Sequence, residues 1–550
     1  MSPSPPPEPS AKRQKTSPTL PFYPGLLDGK NVERLAEAHS SSEPYKHAVI
    51  EQLFDQDFLR KARKEITEQL SFTEKETDIS LNSYCNPLTQ INQTGDLTNL
   101  SGLPASELAL LPTLLELRDA LYSETFRKFL QKVTGCGPLS GSKTDMSCAE
   151  YSQGCYLLNH DDVIGTRRIS FILYLPLDEP AWKPEWGGAL ELYPVLEADD
   201  KNPDRPNVPP SFNQFVFFEV QPGHSFHSVE EVAVVGDGQK GGVGARVSLS
   251  GWFHKPIEGE EGYEGSEGFM PKSSLQQLYA TTLSAPTPYP EPLSLPLPTV
   301  PSASDLAYLS KYLNSAYTSP KIISHLRSQF VETSHLVLSD FLSPTIATEL
   351  ERAVVNGQKV NLIPRHSTGE EQGWTVVGPP HLQRYLSLSK PITSTEPGSS
   401  TAEGRLETVL REIQEISLLP VAHTTNVRRF RPGLDYTLAR GEPAATSSDE
   451  EEAQGERGPQ AKLDAGEAGG WDIWLVGDEG GGEEETMEED DDSTLLSLEP
   501  TFNRLHLVLR DPGVLGFVKY VSAKAPGSRW DVNGEWEVRG IEEDDGEEEK

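Results

Sequence analysis

From Met146 to Phe253 the chain is cut into short apolar runs, rich in β-branched and aromatic residues, with Gly and Pro between them. Ile169–Leu175 and Gln214–Phe218 are continuous apolar runs of strand length, while Gly187–Tyr193 and Arg246–Phe253 alternate with a period of two. Such residues suit a pleated surface, and the alternation sends neighbouring side chains to opposite faces. Many short strands separated by turn residues predict a β-sandwich or jelly roll. Helices are expected to flank it. Phe58, Ala62, Ile66 and Leu70 recur every four residues, the spacing of one helix face. Residues 105–133 read as helical, with Pro112 in a first turn and Ser123 capping a stretch that carries Phe126, Phe129, Leu130 and Val133 up to Gly135. Residues 71–100 are polar and read as a flap or hairpin near a site.

Inside this β-region lies Asn159-His160-Asp161-Asp162, between Cys155–Leu158 and Ile169–Leu175. Residues two apart on a strand share a face, so His160 and Asp162 are expected to present an imidazole and a carboxylate together. Two histidines and one carboxylate on one face of an octahedron form the non-haem iron(II) triad, which leaves positions open for a co-substrate and oxygen. Pro222–Val229 offers His224 and His227 as the third ligand, an odd number of positions apart and so facing opposite ways. His227 is favoured because it opens the strand running through Val229, whereas His224 falls in the Pro-Gly turn. A keto-acid co-substrate needs a cation for its remote carboxylate, and Arg offers a two-pronged donor. Arg246 opens a strand after His227 and points with Ser248 and Ser250. Tyr151 and Tyr174, on neighbouring strands, each bring a hydroxyl to the same region.

The later chain echoes the earlier one. His335–Leu342 resembles His47–Leu59 in its lead into a helix, and Pro500–Leu505 resembles Pro210–Phe215. Arg529, Gly534 and Trp536 loosely repeat Arg246, Gly251 and Trp252. Two copies of one fold in tandem are therefore expected. The second has Tyr436–Arg440 where a His-x-Asp should lie, and Val514–Phe517 where the second His should come. The expected organisation is a disordered leader over 1–44, a first domain over 45–270, a linker over 271–307, a second domain over 308–540 with a disordered acidic insert at about 440–492, and an acidic tail over 541–550.

Net charge is −36, and the runs Asp449–Glu452, Asp478–Asp492 and Glu542–Glu549 supply 21 of the carboxylates. That balance argues against binding a phosphate backbone and favours a basic protein partner. No run of about 18 apolar residues is present, so no membrane helix is expected. Four cysteines without a CxxC pair fit a reducing compartment. Ala11–Lys15 is a basic cluster that would suit nuclear import, giving an expected distribution between nucleus and cytoplasm.

The order Tyr151, His160-x-Asp162, Gly187-Gly188, Phe217-Phe218, His227, Arg246 and Gly251-Trp252-Phe253 resembles the Fe(II)/2-oxoglutarate dioxygenases of the prolyl 4-hydroxylase superfamily. Tyr156–Asp162, Arg168–Tyr174, Gly188–Tyr193, Ser250–His254 and Asn92–Leu97 resemble, more narrowly, the ribosomal prolyl hydroxylases of the yeast termination-and-polyadenylation type. The resemblance implies tandem double-stranded β-helix domains, mainly β with flanking helices, the second copy lacking the metal site. It implies Fe(II) on His160, Asp162 and His227, 2-oxoglutarate on Arg246 with Tyr151 and Tyr174, and L-ascorbate as a reductant. It further implies hydroxylation or 3,4-dihydroxylation of one proline in the decoding-centre protein of the small ribosomal subunit. Translation termination factors or a transcription-factor regulator are the implied partners. An oxygen- or iron-sensing binding protein that regulates a transcription factor is the alternative, as is a dioxygenase on another substrate. Two departures from the family pattern stand out, extra length at Leu81–Gln90 and at Lys240–Ala245.

Overall fold

The computed structural model describes residues 20–75, 89–194, 206–233, 244–263, 287–288, 302–360, 374–378, 383–388, 422–437, 470, 472–476, 494–510 and 514–537. Residues 1–19, the acidic tail, nearly all of the acidic insert, most of the linker and most of both extra loops lie outside the described residues. The first half contains α1 (Gly29–Ser41), β1 (His47–Ile50), α2 (Gln56–Gln69), β2 (Thr73–Lys75), β3 (Thr89–Gln93), α3 (Ala105–Leu108), α4 (Pro112–Leu121) and α5 (Glu124–Thr134). Then come β4 (Thr144–Tyr151), β5 (Tyr156–His160), β6 (Arg167–Tyr174), β7 (Leu190–Leu192), β8 (Asn207–Val208), β9 (Phe215–Glu219), β10 (His227–Val229) and β11 (Arg246–His254).

These strands hydrogen-bond in the order β1-β9-β6-β11-β4-β3-β5-β10-β7-β8, with β2 on β3. Every pairing is antiparallel. The sheet closes round a lumen as a double-stranded β-helix, a jelly roll that is mainly β with helices on one face. Strand parity explains the two sides. Ile169, Phe171 and Leu173 of β6, Phe215 and Phe217 of β9, and Val247, Leu249 and Phe253 of β11 pack outward against α1, α2, α4 and α5. Their in-between neighbours Ile172, Tyr174, Val216 and Phe218 line the lumen with Tyr45, Leu190 and Leu192. Both faces are buried, which is why β6 and β9 read as unbroken apolar runs.

Capping behaves as its residues require. The Asp55 carboxylate accepts from Phe58 N–H at 2.9 Å and Ser123 Oγ from Phe126 N–H at 3.2 Å, while Gly135 ends α5 at φ 72°. The helical stretch expected over 105–133 is three helices, with breaks at Ala109–Leu111 and at Tyr122–Ser123, and the expected starts at Pro112 and after Ser123 are both present.

The structure corrects the leader. Residues 20–44 are folded: α1 buries Leu35 and His39, and Phe22 stacks on Phe54 and Phe126 at 5.2 and 5.0 Å. Only Val32 and Leu35 mark this helix as amphipathic, too sparse a stripe for periodicity to detect. The polar stretch 71–100 does form the hairpin β2–β3, but Asn92 and Gln93 pair with β4 as part of the sheet.

Beyond residue 286 lie β12 (Thr287–Pro288), β13 (His335–Ser339), β14 (Trp374–Val377), β15 (Gln383–Leu388), β16 (Ala422–Phe430), β17 (Tyr436–Thr437), β18 (Asp472–Val476), β19 (Thr494–Leu498), β20 (Arg504–Val508), β21 (Val514–Val518) and β22 (Arg529–Glu537). They too pair antiparallel, β13 with β20, β16 with β22 and β18 with β21. The helices Ala303–Leu309, Pro320–Thr333 and Pro344–Val360 accompany them.

Candidate active site

β5 and β10 are neighbours in the sheet, and their pairing sets His160 directly opposite His227. The two imidazoles lie 4.1 Å apart between ring centres. Asp162 stands between them, one carboxylate oxygen 3.5 Å from His160 Nε2 and the other 3.4 Å from His227 Nε2. One donor atom from each of the three lies within 4.8 Å of the others, the spacing of a metal site. All three are buried or nearly so.

The structure brings His160 and Asp162 together, but not along the shared strand face that the parity argument assumed. β5 ends at His160, and Asp162 lies past it at φ 62°. A left-handed backbone is unfavourable for a non-glycine residue, and such positions concentrate at functional sites. Here it turns the carboxylate back toward the imidazoles, where Ser170 Oγ donates to it at 2.8 Å. Asp161 secures the facing loop. Its carboxylate accepts from Gly223 N–H at 3.2 Å, and its carbonyl from Ser225 Oγ at 2.9 Å.

Each imidazole is oriented the same way. His160 Nδ1 lies 2.8 Å from the Leu158 carbonyl and His227 Nδ1 lies 2.9 Å from the Ser225 carbonyl. A carbonyl only accepts, so Nδ1 carries the proton and the Nε2 lone pair is directed at the shared centre. Burial works against charge on both Asp162 and His160, but their mutual attraction prevails. Asp162 is held well below the usual carboxylate range by His227 and His160, and Asp162 raises His160. His224, the other candidate, is exposed in the turn before β10 and lies outside this cluster.

Arg246 pairs across the sheet with Tyr151, and its guanidinium lies over the Tyr151 and Tyr174 rings at 4.5 and 4.9 Å. It is 1% exposed. Nε donates to the Gly188 carbonyl at 2.7 Å and Nη1 to Ser248 Oγ at 3.1 Å. Nη2 and the Tyr174 hydroxyl are buried without hydrogen-bond partners. Burial pushes the Tyr151 phenol up to about 12 and raises that of Tyr174, with the nearby guanidinium opposing both shifts, so both hydroxyls are donors at neutral pH. Gly187 and Gly188 are required here. Both have positive φ, and a Cβ would stand 2.1 Å from the Glu231 carbonyl oxygen at the first and 2.8 Å from Arg246 Cδ at the second.

A buried cation without a carboxylate is costly. Among the described residues no Asp or Glu pairs with Arg246, which makes the lumen beside it a receptor for an anion. The donor set of His160, Asp162 and His227 likewise fits Fe(II).

Tyr45 belongs to the site without any sequence signal. It precedes β1, yet its hydroxyl donates to the Phe226 carbonyl at 3.1 Å. Its ring meets Phe218 edge-on at 5.8 Å, and Phe218 meets His227 at 4.7 Å. Ser170 was findable, since its parity on β6 matches that of Tyr174.

In the second half Arg529 opens β22 opposite Phe430 and donates to the Gly470 carbonyl, where Gly470 has φ 78°. Unlike Arg246, it is met by carboxylates, Asp472 and Asp531 at 2.8 Å each. Arg428 completes the cluster with two further bonds to Asp531 at 2.7 and 3.0 Å.

Comparison with known proteins agrees with this arrangement. Residues 146–254 match the 2OG-Fe(II) oxygenase superfamily, and residues 304–545 match the family described as oxoglutarate and iron-dependent oxygenase degradation C-term. The chain is 35% identical over 514 residues to the prolyl 3,4-dihydroxylase OGFOD1 of Ostreococcus tauri, covering 89% of this chain and 94% of that one. It is 26% identical over 537 residues to the prolyl 3-hydroxylase OGFOD1 of Xenopus laevis, covering 90% and 87%. With the mouse prolyl 3-hydroxylase OGFOD1 it shares 30% identity over 344 residues, 62% of this chain and 50% of that one. A likeness that spans nearly the whole of the algal relative leaves little outside it: the chain belongs to the OGFOD1-type prolyl hydroxylases of the 2OG-Fe(II) oxygenase superfamily.

Proposed function

We propose that this chain hydroxylates, once or twice, a prolyl residue in the decoding-centre protein of the small ribosomal subunit, and so acts on the accuracy of translation termination. The observation that carries the site assignment is Arg246, buried without a carboxylate and aimed into the lumen that His160, Asp162 and His227 also face. In this reading those three hold Fe(II). Arg246 holds the remote carboxylate of 2-oxoglutarate, with hydroxyl donors from Tyr151 and Tyr174. The iron and the keto acid, when bound, supply the oxidising power that inserts oxygen into an unactivated C–H bond.

The protein's own residues supply placement. The two Nδ1–H···O=C bonds and the Ser170–Asp162 bond fix the three donor atoms before any metal arrives. The apolar lumen of Ile172, Leu190, Leu192, Val216 and Phe218 excludes water from the reacting centre. L-ascorbate restores iron that has become oxidised. The net negative charge suits a basic ribosomal protein, and nucleus and cytoplasm are the compartments where such a substrate is made and used. Termination factors, or a regulator of a transcription factor, are further partners in this reading.

The second half reads as a copy of the first that has lost the chemistry. It keeps the arginine at the head of a long strand and the glycine carbonyl that receives it, but internal carboxylates fill the place of a ligand. Where the His-x-Asp should lie its sequence reads Tyr436–Arg440, and where the second His should come it reads Val514–Phe517. The test is mass spectrometry of small-subunit ribosomal proteins from cells with and without this gene. Loss of one or two oxygens from a single proline supports the proposal. An unchanged ribosomal spectrum, with 2-oxoglutarate turnover intact in the purified enzyme, moves the substrate elsewhere.

A further inference from the structure

The strands that carry the two histidines end against the second half of the chain. Tyr156 lies four residues before His160, and Glu231 four residues after His227. Because β5 and β10 run antiparallel with His160 opposite His227, both residues fall at the same end of the pair. That end meets the turn Tyr520–Lys524. The Tyr156 and Tyr520 rings lie 4.3 Å apart between centres. The Glu231 carboxylate accepts from Ser522 Oγ at 2.8 Å and from Ala523 N–H at 2.7 Å. Glu231 is 4% exposed, and burial raises its pKa against the pull of these donors. A buried carboxylate is tolerated only where such donors stand ready.

The turn is itself held from behind. Gly433 N–H donates to the Val521 carbonyl at 2.7 Å, and Ser522 Oγ also accepts from Lys524 N–H at 3.2 Å. Gly154 lets the chain approach closely, since a Cβ there would lie 2.9 Å from Lys524 Cε.

Glu231 is also wired to the rest of the site. The next residue, Val232, donates N–H to the Cys155 carbonyl at 3.0 Å and accepts from Gly154 N–H at 2.8 Å, both at the head of β5. Val232 bridges to Gly187, and Ala233 N–H donates to the Trp186 carbonyl at 3.0 Å. Gly187 adjoins Gly188, whose carbonyl receives Arg246. A shift of Glu231 therefore reaches both histidine strands and the arginine anchor.

We infer that the turn Tyr520–Lys524 of the second half is a positioning element for the iron and 2-oxoglutarate sites, acting through Glu231 on β10 and Tyr156 on β5. The inference rests on the metal assignment above. The second half thereby has a definite task in the first half's reaction, without ligands of its own. Glu231, Tyr156 and Tyr520 are positioning residues, since none of them is among the three side chains of the metal-binding group.

The test uses the full-length chain and Mn(II) as a redox-silent probe, its free concentration read by electron paramagnetic resonance. Glu231→Ala and Tyr520→Ala are each expected to weaken Mn(II) binding about tenfold, the scale seen when supports of metal ligands are lost. The KM for 2-oxoglutarate should rise more than kcat falls. Glu231→Gln retains an oxygen acceptor for Ala523 N–H and should return Mn(II) affinity to within about twofold of the parent. Circular dichroism checks that each variant is folded. If Glu231→Ala fails to fold, Tyr520→Leu, which removes the ring contact with Tyr156 and the hydroxyl's hydrogen bond to Glu231, carries the same test. Parent-like Mn(II) affinity in folded Glu231→Ala or Tyr520→Leu overturns the inference. Failure of the parent itself to bind Mn(II), or parent-like binding in His160→Ala, overturns the metal assignment instead.

Discussion

Asn213 and Asn503, 290 residues apart, each hold the loop between a strand and its helix with a side-chain amide. Asn213 has φ 67°, and its side-chain oxygen accepts from Leu53 and Phe54 N–H at 3.1 and 3.0 Å. Asn503 has φ 57°, and its side-chain oxygen accepts from Leu342 N–H at 2.7 Å. Each also returns its amide N–H to a carbonyl, Phe54 in one case and Leu342 in the other. Each pins the chain between a first strand and its helix to the head of that strand's partner. Asn tolerates the left-handed region and offers both donor and acceptor, which few residues do.

Asn213→Ala is expected to destabilise the protein by about 3 kcal/mol, because the buried Phe54 N–H and carbonyl both lose their partner and Leu53 N–H keeps only the Asn213 main-chain carbonyl. Asn503, less buried, should cost roughly half as much on the same change. Chemical denaturation of both variants checks the order. Equal and negligible effects would show that the turns are held by something else.

His160→Ala and Asp162→Ala should each abolish prolyl hydroxylation while leaving the circular dichroism spectrum intact, since neither contributes to the apolar core. His224→Ala should retain parent activity within about twofold, its ring being outside the three-donor cluster. Single-turnover assays of the three distinguish them, and an inactive His224→Ala would reopen the choice of ligand.

Arg246→Ala should raise the KM for 2-oxoglutarate about a hundredfold, the range expected when one member of a buried charge pair is removed. Mn(II) binding should stay near the parent value. Arg246→Lys is expected to recover little, because a point charge cannot reproduce the fork that meets Gly188 and Ser248. Isothermal titration with 2-oxoglutarate in the presence of Mn(II) reads this directly.

Asp531→Ser makes the second half resemble the first at the position matching Ser248. It leaves Arg428 without its two-pronged partner and Arg529 with one carboxylate instead of two. A loss of about 3 kcal/mol is expected, as when one side of a buried ion pair is deleted. The midpoint of urea unfolding checks it, and an unshifted midpoint would mean that water already solvates the cluster.

Stability should fall as the solution is acidified below about neutral. His39 and His254 are buried, and burial first, with nearby cationic or histidine neighbours adding to it, lowers each to about 4 from 6.5. Each stays neutral in the fold while the unfolded chain takes up a proton, so the stabilisation is complete above 6.5 and is lost as pH falls through about 4. Each site contributes on the order of 3 kcal/mol at its limit. Thermal melts between pH 7 and pH 4 measure the slope, and His254→Gln should flatten it.

The local instructions were legible one residue at a time. Period-two alternation in Arg246–Phe253 and the apolar runs of β6 and β9 marked the strands, because side-chain direction on a strand is a property of the backbone itself. Ser123 and Gly135 marked the ends of α5 for equally local reasons. The His-x-Asp pair, the choice of His227 over His224, and Arg246 with its tyrosines could also be read from spacing and turn residues. Only the folded chain revealed the rest. It decided that Asp162 reaches the histidines through a left-handed turn and not along a strand, and that α1 is part of the core. It also brought Tyr45 beneath Phe226 and set Glu231 against Ser522, 291 residues away. Those contacts join segments remote in sequence, and their energy comes from excluding water and matching donors to acceptors in three dimensions. No window along the chain contains both partners, so no periodicity could announce them.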